Sequence, residues 1–168
     1  MIYFFTTFIL TLLLSHIAHA MPTSGDATSP EELYDPTYAD VQHALPIADY
    51  LVLWSSRYDN KNGDTMGVSC STGPHCLARR YPHFGDFPSF PYIGGAFNVE
   101  WGTEYCGTCW NLTNLRTHKT ISVTVIDNAR PGYNISEEAF VELNGGGVGN
   151  GRLAAEAKQV SPHFCGFR

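Results

Sequence analysis

A chain of 168 residues with a net charge of −6 carries no basic field with which to draw in nucleic acid or an anionic membrane surface. The charge is unevenly placed: positions 21–50 hold six acids and no Lys or Arg, while positions 51–168 hold ten acids and ten bases. A neutral stretch of that length supports one modest core and suits an uncharged partner or one of mixed charge, such as a neutral glycan.

The chain opens on an uncharged apolar run, Ile2 to Leu14, ahead of Ala18-His-Ala20. An apolar run before a small-x-small site reads as a secretory signal peptide over 1–20, although no Lys or Arg precedes it. The run is shorter than the roughly 20 residues a bilayer-spanning helix needs, so the expectation is a secreted, extracellular protein with no membrane span. Positions 21–50 read as an acidic, partly disordered extension, loosened by the Pro, Ser, Thr and Gly between Met21 and Pro30. The folded domain is assigned to 51–168.

Within that domain, Leu51 to Trp54 is a short apolar run, followed by a turn cluster from Arg57 to Asp64. Between Phe84 and Gly95, Pro and Gly recur too densely for a long helix. Trp110 to Asn114 and Thr120 to Ile126 read as strands, the second with β-branched residues in near alternation. Ser136 is placed to cap a short helix with Glu137 and Glu138 in its first turn, and Asn144-Gly-Gly-Gly147 stops it. Ala154 to Val160 reads as a last strand, with Cys165 close behind. Short strands between Gly/Pro loops, with one or two short helices, predict a small all-β barrel.

Five cysteines follow the leader: Cys70, Cys76, Cys106, Cys109 and Cys165. Cys106-Gly-Thr-Cys109 is compatible with a redox pair, half of a metal site, or two separate disulfide anchors. A thioredoxin-like pair needs a helix N-terminus behind it to lower a thiol pKa, and here Trp110 opens a strand. A zinc site drawn from Cys70, Cys106, Cys109 and His75 or His163 lacks a second paired motif. No metal and no cofactor is expected. Disulfides suit an oxidising exterior, but the residues alone leave the pairing open and one cysteine over.

Several stretches, in this order, resemble the cerato-platanins, small secreted proteins of filamentous fungi. They are Tyr58-Asp59-Asn60, Val68-Ser-Cys70-Ser71, Pro88-Ser-Phe-Pro91-Tyr-Ile-Gly94-Gly95, Cys106-Gly-Thr-Cys109-Trp110, Ile126-Asp127-Asn-Ala-Arg-Pro-Gly132-Tyr133-Asn134 and Cys165-Gly166. The resemblance covers about 52–168. It departs at Trp54-Ser55, which stands where the family shows the first of two Tyr-Asp pairs; we read an altered first strand rather than a domain opening at Tyr34. The resemblance implies a six-stranded double-psi β-barrel, similar to the catalytic-like domain of expansins, stapled by disulfides Cys70–Cys106 and Cys109–Cys165. Cys76 falls outside that pattern and is read as a free, buried thiol, with a Cys76-linked dimer as the alternative.

Asp127 closes the clearest strand at the edge of a polar loop, where a carboxylate can accept hydrogen bonds from sugar hydroxyls. Tyr58 and Tyr133 carry ring faces to pack against a pyranose, Asn128 and Asn134 carry donors and acceptors, and Gly132 allows close backbone approach. On its residues alone, Asp127 reads first as a turn aspartate bonded to backbone N–H groups; the resemblance turns the reading toward sugar. Hydrolysis of a glycoside needs a second carboxyl group across the bond. Asp59 and Glu100 are the acids on hand, neither in a comparable context, so no catalytic residue is assigned and Asp59 is placed with the binding set. The resemblance implies a non-catalytic protein that binds chitin or glucan oligosaccharides, loosens polysaccharide without cutting it, and acts as an effector or elicitor through a plant surface receptor, as a monomer or self-assembled. The alternatives are an interaction protein whose elicitor surface is independent of the sugar groove, and a weak glycan hydrolase. Asn111-Leu-Thr113 and Asn134-Ile-Ser136 are N-glycosylation sequons, the second in competition with sugar binding at Asn134.

Overall fold

The structure, a computed structural model, describes residues 49–168; the leader and nearly all of the acidic extension lie outside the described residues. Six strands carry the chain: β1 (Asp49–Trp54), β2 (Ile93–Ala96), β3 (Cys109–Asn114), β4 (Thr120–Asn128), β5 (Tyr133–Ile135) and β6 (Arg152–Val160). One α-helix among the described residues, α1 (Glu137–Asn144), follows β5. The strands close into a barrel in the order β1-β5-β2-β4-β3-β6, which leaves no unpaired edge. β1 runs parallel to β5 and β2 parallel to β4, while the remaining neighbours are antiparallel. This is the double-psi barrel that the resemblance implies.

β4 follows its sequence pattern: Ile121, Val123 and Val125 enter the barrel core, with Val52, Leu112, Tyr133 and Ile135 around them. β1 begins at Asp49, which pairs with Glu156, so two residues read as extension belong to the first strand. β6 begins at Arg152 rather than Ala154. β2 and β5 carry no strand signal at all. In β2 the pair Gly94-Gly95 reads as a turn, yet both glycines are there because the neighbouring strand is close: an added Cβ on Gly94 would stand 2.4 Å from the Asn134 carbonyl oxygen.

The helix is capped twice. The Ser136 hydroxyl accepts from the Ala139 N–H at 3.2 Å, and the Asp59 carboxylate accepts from the Glu137 and Glu138 N–H groups at 2.8 and 3.0 Å. An acid at a helix N-terminus takes up orphan donors and favours the dipole.

Between β1 and β2 the chain makes a long excursion, 55–92, of loops and short 3-10 turns. Such a segment needs its own apolar core. It has one: Tyr58, Val68, Tyr81, Phe84 and Phe87 pack against Ile93 and Ile126, two residues that barrel strands turn outward. Both implied disulfides are formed, Cys70–Cys106 and Cys109–Cys165, with Cα atoms 5.5 and 5.9 Å apart. They span sequence separations of 36 and 56 residues, and each restricts the unfolded chain by about 4 kcal/mol on the loop-entropy estimate. Cys76 is free but only half-buried, not the buried thiol expected. Leu77 takes the inward position against both clusters, which leaves Cys76 on the wall of a cavity of about 360 Å³ with Tyr81, Cys106 and Phe167.

Gly132 sits where β5 approaches β1, and an added Cβ would lie 2.0 Å from the Leu51 carbonyl oxygen. Backbone cannot yield as a flexible side chain does, so Gly132→Ala should cost about 2–3 kcal/mol. Urea denaturation followed by tryptophan fluorescence measures it; an unchanged midpoint would show that the two strands are not held at this spacing.

Candidate functional site

Asp127 owes its position to an irregularity in β4. Opposite β2, Gly94 pairs with Val125 and Gly95 with Asp127, so Ile126 is one residue too many, a bulge. Its side chain fills the second core, and its carbonyl accepts from the Cys70 N–H at 3.1 Å. Cys70 is also bonded to Cys106, and the two restraints hold Ser69 against the end of the strand.

The Asp127 carboxylate gathers what surrounds it. Oδ1 accepts from the Ser69 N–H at 2.9 Å, the Ser69 hydroxyl at 2.8 Å and the Asn128 N–H at 2.8 Å. Oδ2 accepts from the Tyr58 hydroxyl at 3.1 Å and faces Arg57 Nη1 at 3.5 Å. Arg57 Nη2 donates to the Gly67 carbonyl, so the guanidinium bridges the strand end and the excursion. A carboxylate offers about four lone-pair sites, and these donors fill them. The Asp127 side chain is 13% exposed and that of Arg57 is 50% exposed. Asp127 is therefore an internal tie, and of the groups it holds Arg57 and Asn128 face solvent.

The expected binding residues divide. Tyr58 reaches Asp127 through its hydroxyl, but its ring is buried beside Phe84 and offers no face to a ligand. Burial, then the Asp127 charge and hydrogen bond, push its phenol pKa well above the usual value. Tyr133 is likewise a core residue, enclosed by Tyr50, Phe97 and Trp110, and burial raises its pKa too. Both rings go inward because they are the large apolar bodies on their segments. Asp59 is committed to the N-terminus of α1, and the closeness that Gly132 permits is to β1. Asn134 lies in β5 between β1 and β2, not in a loop, with its Oδ1 buried. Asn111, the other sequon, is in mid-strand on β3 and accepts from the Ser122 hydroxyl at 2.8 Å. Of the expected set, Asp127, Asn128 and the Tyr58 hydroxyl are the groups brought together.

Asn128 is exposed, and its Nδ2 donates to the Val99 carbonyl. That bond brings in the loop after β2, where Glu100 pairs with Arg130. Trp101 follows, 66% exposed, with Nε1 donating to the Thr72 hydroxyl at 2.9 Å. Of the acids weighed as a second carboxyl, Asp59 caps α1 and Glu100 pairs with Arg130 at the surface. Among the described residues, no group of three His, Cys, Asp or Glu is arranged to hold a metal ion, and no helix is long and apolar enough to cross a membrane. The sequence reading missed Arg57, Ser69 and Trp101. Ser69 had a signal in its place beside Cys70; Arg57 and Trp101 had none, because neither belongs to a periodic pattern.

A family model described as Cerato-platanin matches residues 51–167. Among curated proteins, the allergen Asp f 15 of Aspergillus fumigatus is 37% identical over 128 residues, covering 75% of this chain and 81% of that protein. A heat-stable 19 kDa antigen of Coccidioides posadasii is 33% identical over 129 residues, covering 74% and 87%. Among solved structures, cerato-platanin 2 from M. perniciosa aligns with a TM-score of 0.66 at 32% identity, covering 71% of this chain and 99% of that one. The solution structure of the fungal elicitor cerato-platanin aligns with a TM-score of 0.62 at 30% identity, covering 68% and 95%.

The buried tyrosines set an alkaline limit. Their raised pKa values mean that the folded chain keeps phenol protons above the ordinary value of 10.0, where the unfolded chain releases them. Stability from this source is complete below that value and falls as pH rises beyond it. Thermal melts from about pH 9 to 12 should show this loss, and Tyr58→Phe should remove the Tyr58 share of it; an identical alkaline slope in the variant contradicts the assignment.

Proposed function

Because the chain belongs to the cerato-platanin family, we propose that it is a secreted, non-catalytic protein that binds chitin or glucan oligosaccharides on the polar face organised by Asp127. The observation that carries this reading is the saturation of the Asp127 carboxylate by Ser69, Tyr58, Asn128 and Arg57. A carboxylate so engaged has no lone pair left over for a ligand, but it fixes its donors in place. Arg57 then offers guanidinium N–H groups, and Asn128 keeps its side-chain carbonyl for a ligand because its Nδ2 is spent on Val99. Sugar hydroxyls, each a donor and an acceptor, suit such a mixed and pre-set array.

Bond cleavage is a poorer fit. Glycoside hydrolysis uses two carboxyl groups flanking one bond, and Asp59 and Glu100 are both tied elsewhere. Binding without cleavage can still displace one polysaccharide chain from another, which is loosening in the expansin sense. The leader at 1–20 directs the chain outward to the fungal wall, in this reading. One relative is described as a fungal elicitor, and we carry that role to this chain as its action toward a plant receptor; the elicitor surface is either the same face or a separate one.

Calorimetric titration with chitin and glucan oligomers tests the reading. Arg57→Ala and Asn128→Ala, both exposed positions, should each weaken binding by roughly tenfold, with no reducing sugar released by any form. Release of reducing sugar by the native protein, lost in Asp127→Ala, would overturn the non-catalytic assignment. Infiltration of plant tissue with Asn128→Ala separates the roles: an undiminished defence response places the elicitor surface away from this face.

A further inference from the structure

We propose that Trp101 is an aromatic platform for the same sugar chain, making this face a site for an extended oligosaccharide rather than for a single sugar. The inference rests on the oligosaccharide reading above and adds to it a residue and a length requirement.

A Trp left 66% exposed gains little from burial in the fold, yet this one is held rather than loose. Nε1 donates to the Thr72 hydroxyl at 2.9 Å. The indole edge lies over Gly73, where an added Cβ would stand 3.4 Å from both Cε2 and Cζ2. Trp101 also sits within a tight turn, closed by the Thr103 N–H on the Glu100 carbonyl at 3.2 Å and by the Thr103 hydroxyl on the same oxygen at 3.1 Å. The two loops that meet here, one through Thr72 and Gly73 and the other through Trp101, lead into Cys70 and Cys106, which are bonded to each other. A ring fixed in this way loses little rotamer freedom when a ligand arrives.

Its chemistry selects the ligand. The indole N–H, the ring's only polar group, is already spent on Thr72, so the exposed remainder is an apolar π surface. Such a surface takes the C–H face of a pyranose and has nothing to offer an isolated hydroxyl or an anion. The hydrogen-bonding groups lie beside it. Val99, which Asn128 holds, is two residues from Trp101, a chain reach of at most roughly 7 Å. Ser69, which Asp127 holds, is three residues from Thr72, a reach of at most roughly 11 Å. Beside Trp101, Glu100 and Arg130 form an ion pair at the surface, their side chains 60% and 64% exposed. A ring and hydrogen-bonding groups within such a reach can meet neighbouring sugars of one chain.

The test is calorimetry on the native protein, Trp101→Ala and Trp101→Phe with N-acetylglucosamine and with chitin oligomers of increasing length, with sedimentation of each free protein. Native affinity should rise with oligomer length. Trp101→Ala should lose roughly tenfold on the longer oligomers and little on the monosaccharide, and Trp101→Phe should keep most of the gain. An unchanged length dependence in Trp101→Ala overturns the inference while leaving the Asp127 face intact. Loss of self-association in Trp101→Ala without loss of sugar binding overturns it in favour of a second copy of this chain as the ring's partner. Failure of the native protein to bind any oligomer overturns the inference and the oligosaccharide reading together.

Discussion

One carboxylate joins the two halves of this domain. Asp127 belongs to the barrel, while the Tyr58 and Ser69 groups that donate to it belong to the excursion outside the barrel. Remove it and a largely buried phenol hydroxyl and a backbone N–H lose their acceptor together, at a cost of about 1–3 kcal/mol for each unsatisfied group. The bulge at Ile126 makes the arrangement work from the other side. It shifts the pairing by one residue, drops Ile126 into the second core and leaves its carbonyl for Cys70. The Cys70–Cys106 disulfide then fixes the loop that carries Ser69. Barrel, excursion and candidate binding face therefore share one set of restraints.

How much of this was legible in the sequence follows from physical type. β4 was legible because alternating β-branched residues have no reading other than a strand with one buried face. The helix was legible because Ser136, the acids behind it and the glycines after it each have a local reason to be there. β2 and β5 were not, because their glycines are chosen for close strand contact, and glycine in a sequence looks the same whether it turns a chain or lets one pass near another. The disulfide pairing came from the family resemblance; five cysteines alone leave it open. Tyr58 and Tyr133 misled for a related reason. An aromatic beside a polar loop serves a core as well as a ligand, and only packing decides. Trp101 shows the converse, since its exposure depends on what does not cover it, and no local pattern records that.

The binding proposed for this face follows from how its groups are held. Its central carboxylate is saturated, its neighbouring acids pair with a helix terminus and with an arginine, and its exposed Arg57 and Asn128 side chains are held by bonds to backbone carbonyls. Preorganised donors beside an apolar ring lower the entropy lost on binding a flexible, uncharged chain. The near-zero net charge of the domain agrees with such a partner, since no long-range field is needed to steer it. Burial of Tyr58 beneath the face contributes rigidity rather than contact.

Amide chemical-shift mapping of the native protein with a chitin oligomer tests the central claim most directly. Perturbations should converge on Ser69, Thr72, Trp101, Asn128 and Arg130, and leave the cavity lined by Cys76, Arg80 and Phe167 unmoved. Saturable perturbations at that cavity, with the Asp127 face silent, would contradict the account.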